Sequence, residues 1–123
     1  EPVPVLALGR GSDLVVSPRG FPGLVIRPAA GMGGVAVGGD GLVAAGAAAS
    51  QPAVARRCAA AGRGGLEFMV GIPGSVGGAV RMNAGGHGSD TAAWLVSATL
   101  RSLTQARLQD PPGSFNTSPS STT

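Results

Sequence analysis

Apolar positions in this chain come in short runs cut by glycine and proline, and long periodic stretches are almost absent. "VPVLALG" (residues 3–9) reads as a buried strand ending at a glycine turn, and "DLVVS" (13–17) follows "RGS" as a second strand. "PRGFPG" supplies turn residues before "LVIRP" (24–28), while "GGVAVGG" and "GLVAAGAAA" alternate small and apolar residues as further short strands would. The exception to this pattern follows Ser50, an N-cap with Pro52 in the first turn and a helix through "AVARRCAAAG" that stops at Gly62. Val54 and Cys58 share its apolar face with Ala55 and Ala59 beside them, and Arg56 and Arg57 point outward. "GLEFMVGIPG" (65–74) reads as a short apolar run ending a strand, and "WLVSATLRSL" (94–103) as another strand. From about Gln105 the apolar pattern gives way to Ser, Thr, Pro, Asn and Gln, the composition of a disordered tail. The first hundred residues therefore read as an α+β unit of short strands with one or two helices.

Composition narrows the chemistry. With 123 residues the chain holds one small domain, and its apolar residues are mostly Ala and Val, with three Phe, one Trp and no Tyr. Small side chains bury little area each, at about 25 cal/mol per Å², so a thin core of marginal stability is expected. All nine basic residues are arginines, which removes a Walker-type phosphate loop and any Schiff-base lysine. The arginines are scattered, with only Arg56 and Arg57 adjacent and no aromatics among them, so the net charge of +3 gives no nucleic-acid surface. Cys58 and His87 are single, so neither a disulfide nor a metal centre is expected. No run is long enough to cross a membrane, and no signal segment opens the chain at Glu1.

Two glycine-rich loops carry the candidate chemistry. In "LGRGSDL" the third glycine of a dinucleotide fingerprint is missing, and "VVSPRGFPG" cannot be a helix, so strand–turn–strand is expected. There the amides of Gly9, Arg10, Gly11 and Ser12 form either an anion-binding nest or a plain hairpin turn. The second loop packs seven glycines into residues 71–88. Pro73 is placed to open a short helix whose free amides attract phosphate, Ser75 adds a hydroxyl, and Gly77 and Gly78 admit a second backbone or a flat ligand. Asn83 offers an amide that both donates and accepts. Two such nests on one small domain point to a diphosphate ligand, and a nucleotide cofactor fits that pattern.

"LGRGSDL", "AAGAAAS" and "GLEFMVGIPGSVGGAVRMNAGGHGSD", in this order and spacing, resemble the UDP-N-acetylenolpyruvoylglucosamine reductases, vanillyl-alcohol-oxidase-type (VAO/PCMH) FAD proteins of bacterial cell-wall synthesis. The resemblance spans about residues 3–101 and implies an incomplete FAD-binding domain over residues 1–101, with the family's opening segment lost before Glu1. It implies a cytoplasmic enzyme in which NADPH reduces FAD and hydride passes to the enolpyruvyl group of a UDP-sugar, giving UDP-N-acetylmuramate. On matching positions Gly9, Arg10, Gly11, Ser12 and Asp13 would hold the FAD pyrophosphate, and Gly46 and Ala47 would lie along the cofactor. Gly71, Ile72, Pro73, Gly74, Ser75, Gly77 and Gly78 would wrap the diphosphate and ribityl region, with Asn83, Ala84 and Gly85 near the flavin ring.

The sequence also departs from the family. Asp13 stands where Asn is usual, and its charge would repel a pyrophosphate unless the carboxylate turns away to cap the loop's own amides. His87 stands where Tyr is frequent and reads as a partly exposed turn residue. The family's Tyr-Arg pair has no counterpart, Gly113-Ser114-Phe115 echoes only three residues of its proton-donor motif, and the assisting glutamate is missing. No catalytic residue is therefore assigned, the substrate domain is expected to be absent, and residues 102–123 read as a truncated or frame-shifted tail. An inactive fragment and a non-catalytic nucleotide-binding module are the alternatives, and this chain alone is expected to turn over weakly or not at all.

Overall fold

The computed structural model describes residues 2–100. Six short strands, two α-helices and two 3-10 turns follow one another, and the strands form three separate two-stranded sheets. This is the α+β arrangement expected of the sequence.

Strand β1 (Val5–Ala7) pairs in parallel with β2 (Leu24–Ile26), in the register Val5↔Leu24 to Ala7↔Ile26. The expected hairpin between β1 and "DLVVS" does not form. Parallel neighbours need a crossover of about a dozen residues, and residues 8–23 provide it as an irregular excursion. Leu14, Val15 and Val16 stay exposed there, with no strand edge to pair with.

The next pair is a true hairpin. β3 (Val35–Val37) and β4 (Val43–Ala45) run antiparallel, with Val35↔Ala45 and Val37↔Val43 as partners. Asp40 and Gly41 close the turn: the Asp40 carboxylate accepts from Leu42 N at 3.0 Å, and Gly41 takes φ +87. Just beyond β4 the chain passes so close to the Met32 carbonyl that any side chain at Gly46 would overlap it.

Helix α1 (Gln51–Ala60) starts where expected: Ser50 Oγ accepts from Ala53 N at 3.3 Å, with Pro52 in the first turn. The chain turns away beyond it at Gly62, φ +70. Val54, Ala55 and Cys58 are buried and both arginines point out, but Ala59 is exposed because it falls at the rim of the buried arc. Gln51 lies on the same face and is buried with them.

A 3-10 turn, Glu67–Gly71, replaces the strand expected around "GLEFMVG". Phe68 and Met69 are both buried against α1. Adjacent side chains of a strand would point to opposite faces, so only a turned backbone delivers both to one core. That core joins Ala49, Val54, Ala55, Cys58, Phe68 and Met69, with Val35, Val37, Val43 and Ala45 of the hairpin half-buried over it. It is as thin as the composition implied, with Phe68 its one aromatic ring.

Helix α2 (Val76–Met82) ends at Asn83 in the left-handed conformation, φ 49. Strands β5 (Gly85–Gly86) and β6 (Ser89–Asp90) then form a two-residue ladder turned by His87 and Gly88. Residues 95–100 form no strand, unlike the reading of "WLVSATLRSL": Val96 and Leu100 are about four-fifths exposed, at 79% and 80%, with no sheet edge beside them. The expected tail at 102–123, Ser114 included, lies outside the described residues.

Candidate functional site

The first glycine loop leaves β1 after Leu8 N donates to Ile26 O at 2.8 Å. From Gly9 to Asp13 no main-chain amide donates to any described residue. Gly11 takes φ +76, as a nest of successive amides requires, and Arg10 and Asp13 are exposed. The Asp13 carboxylate accepts no hydrogen bond among the described residues, so it does not cap the loop. Of the two readings of this loop, the hairpin fails and the row of unpartnered amides remains.

A second segment, residues 46–50, runs from β4 into α1. Gly46 N donates to Gly34 O at 2.9 Å, and Ala48 N to Met32 O at 3.0 Å, which fixes the segment to the preceding turn. Its outward carbonyls receive the third segment. Val76 N donates to Ala49 O at 2.8 Å and Gly77 N to Ala47 O at 3.0 Å, and a Cβ on Gly77 would lie 3.1 Å from that of Ala47. The caps Ser50 and Ser75 face each other across an antiparallel bridge.

That contact corrects the expectation for "GIPGSVGG". Pro73 does not open the helix; Ser75 caps it and Val76 is its first residue. Nor is the helix start free to take an anion. Val76 and Gly77 amides bind the Ala47–Ala49 stretch, Gly78 N donates to Ser75 Oγ at 3.3 Å, and Ala79 N to Ser75 O at 2.9 Å. Gly77 admits a second backbone, the first of the two uses foreseen for it. The amides left without a described partner here are those of Gly74 and Ser75, with Gly74 at φ +119.

The two glycine loops meet. Ser12 Oγ donates to Pro73 O at 3.3 Å, and Gly9 packs on Ser75 so closely that a Cβ would sit 2.5 Å from its Oγ. Gly71 lies against the exposed His87 ring, a Cβ there falling 3.2 Å from Nε2, and Ile72 N returns to Met69 O at 3.2 Å.

Asn83, Ala84 and Gly85 stand at the other end of α2, roughly 10 Å along its axis from the cluster. The Asn83 amide is engaged internally: Nδ2 donates to Asp90 at 3.3 Å and Oδ1 accepts from Ala92 N at 2.8 Å. Ala84 O accepts from Thr91 Oγ1 at 2.8 Å. A shallow cavity of about 540 Å³ opens over Asn83, Gly85, Gly86 and Asp90.

Gln51 had no place among the sequence-level candidates, although its side chain is 2% exposed at the junction of these segments. The available signal was its spacing: Gln51, Val54 and Cys58 lie three and four apart, on one helix face. Burial and then the nearby Glu67 carboxylate push the Cys58 thiol up from its ordinary range, which keeps it protonated and unreactive. Among the described residues no group of His, Cys, Asp and Glu could hold a metal ion, and no helix is long and apolar enough to cross a membrane.

Comparison with known proteins covers most of the chain. The family model described as FAD binding domain matches residues 1–106. A UDP-N-acetylenolpyruvoylglucosamine reductase of Nitrobacter winogradskyi is 50% identical over 109 residues, covering 88% of this chain and 35% of the relative. Reductases of the same name are 54% identical over 99 residues in Nitrobacter hamburgensis (80% and 32% covered) and 49% over 113 residues in Caulobacter sp. strain K31 (86% and 37% covered). The chain thus spans about a third of the length of the curated relatives it matches.

Proposed function

The chain belongs to the FAD binding domain family, and from that premise we propose that it is the FAD-holding part of a UDP-N-acetylenolpyruvoylglucosamine reductase. In this reading the free amides of Gly9, Arg10, Gly11, Ser12 and Asp13 hold the pyrophosphate. Gly71, Ile72, Pro73, Gly74, Ser75, Gly77 and Gly78 form the facing wall, Gly46 and Ala47 its floor, and Asn83, Ala84 and Gly85 the flavin end. The observation that carries it is the junction of two loops far apart in sequence, one of them with a row of amides that no described group satisfies. Unpaired main-chain donors in a glycine turn suit phosphate oxygens. The residues present fit the group, with one adjustment: loop 9–13 supplies the anion-binding amides, and the start of α2 supplies structure.

When bound, FAD supplies hydride chemistry, with NADPH as the reductant and an enolpyruvyl UDP-sugar as the acceptor in the cytoplasm. This chain's own residues bind and orient the cofactor. Its sequence contains no Tyr-Arg pair, and in this reading residues 1–101 act as a cofactor domain.

Titration of the purified chain with FAD and with ADP tests the reading. Marked preference for FAD, together with a rise in melting midpoint as FAD is added, is the expected result. Equal affinity for ADP favours a plain nucleotide-binding module, and absence of binding to either overturns the assignment. Full substrate-dependent NADPH oxidation by residues 1–123 alone would overturn the domain argument.

A further inference from the structure

Resting on that cofactor-binding reading, we infer that Gln51 is a positioning residue for the site, holding the Pro73–Gly74 turn against the loop of residues 9–13. Its main-chain N donates to Gly74 O at 3.0 Å, while its side-chain Nε2 reaches Pro73 O at 3.5 Å. Both carbonyls of the turn are therefore gripped by one residue of α1. From the opposite, exposed side Ser12 Oγ donates to the same Pro73 carbonyl at 3.3 Å. Gly74 sits between the two grips: a Cβ there would fall 2.8 Å from Ser12 Oγ and 3.6 Å from Gln51 Nε2.

The chemistry of the Gln51 amide is unusual for a purely structural residue. It is almost completely buried, yet among the described residues Oε1 has no hydrogen-bond partner and Nε2 has one long one. A buried acceptor left unpaired is costly, and an apolar side chain of similar volume would avoid that cost. Turning the amide over would set Oε1 against the Pro73 carbonyl, so that carbonyl fixes the orientation. The amide is therefore kept for the one donation it makes, to the Pro73 carbonyl of the turn. Gln51 does not touch the ligand; it sets where the turn stands, and through Ser12 where the unpartnered amides point.

Gln51→Met, similar in volume but without a donor, tests this in FAD titrations of the full chain. The expected result is a melting midpoint equal to or above that of the parent and an FAD dissociation constant raised about tenfold. Gln51→Glu adds a readout that a space-filling role would not move. Protonated, its carboxyl donates to Pro73 O and FAD binding approaches that of the parent; ionised, it repels the carbonyl and binding fades as pH rises. Gln51→Met binding should stay flat over the same range. Parent-like FAD affinity in Gln51→Met, or a pH-independent Gln51→Glu, overturns the inference. If neither variant folds, Gln51→Asn, which keeps the amide but is too short to reach Pro73 O, carries the test, with weaker FAD binding expected and unchanged binding overturning the inference. A parent chain that binds neither FAD nor ADP defeats the cofactor reading itself, an outcome distinct from all of these.

Discussion

Gly9 and Ser75 are in direct contact, and the space between them does not admit a methyl group. Ser75 Oγ is the cap of α2, so a Cβ at Gly9 would push the hydroxyl off Gly78 N. Gly9→Ala should therefore cost about 0.5–2 kcal/mol, the loss of a helix cap. In a domain of this size a thermal melt would register about 4–8 °C per kcal/mol. An unchanged midpoint would show that the two loops do not pack as described.

Asn83 carries two jobs, ending α2 with a left-handed backbone and tying Asp90 and Ala92 to it. Asn83→Ala loses both side-chain bonds and the tolerance for φ 49, a destabilisation of about 2 kcal/mol. Asn83→Gly loses the bonds alone and should recover about 1 kcal/mol of that. Urea midpoints of the three proteins check the order, and an Asn83→Gly no better than Asn83→Ala would contradict it.

Cys58 makes stability depend on alkaline pH. Its thiol holds its proton more tightly folded than unfolded, so over an alkaline span the folded chain keeps a proton that the unfolded chain has lost. The contribution is complete below the unfolded thiol's range, at about pH 8.5, and is lost as pH rises from there through the raised folded value. Melting midpoints should fall over that alkaline span in the parent protein and fall less in Cys58→Ala. Thiol reagents should label Cys58 slowly until the chain is unfolded.

Asp13 sets a negative charge beside the proposed pyrophosphate site, with no described group turning it aside. Asp13→Asn should tighten FAD binding by up to about fivefold at low ionic strength, and the gain should shrink as salt is added. Equal affinities at low salt would place the carboxylate away from the phosphates.

Much of this fold is legible from residue order. Ser50, Pro52 and Gly62 bracket α1, and the alternation of small and apolar residues in "GGVAVGG" and "GLVAAGAAA" marks β3 and β4 as strands, because these signals are local. The partner of β1 is not, since "DLVVS" and "LVIRP" are equally strand-like and only the intervening crossover decides between them. The run around Phe68 is ambiguous for a different reason: five apolar residues fit a strand or a buried turn alike. At the candidate site, the glycine clusters named the segments that come together. They did not reveal which amides are already taken, because Ala47 and Ala49 carry no side-chain mark of the carbonyls they offer to Gly77 and Val76. Gln51 was hidden by type, as glutamine is mostly an exposed residue.

The bond between Ser12 and Pro73 joins residues 61 positions apart, whereas α1 and the 3-10 turn after it are near neighbours along the chain. Loop-closure entropy makes distant pairings the slow ones. On that ground the helical core should form ahead of the junction between the two loops, and flavin binding that develops together with core burial during refolding would contradict this order. In the expected order, flavin capture would report on chains whose core has already formed.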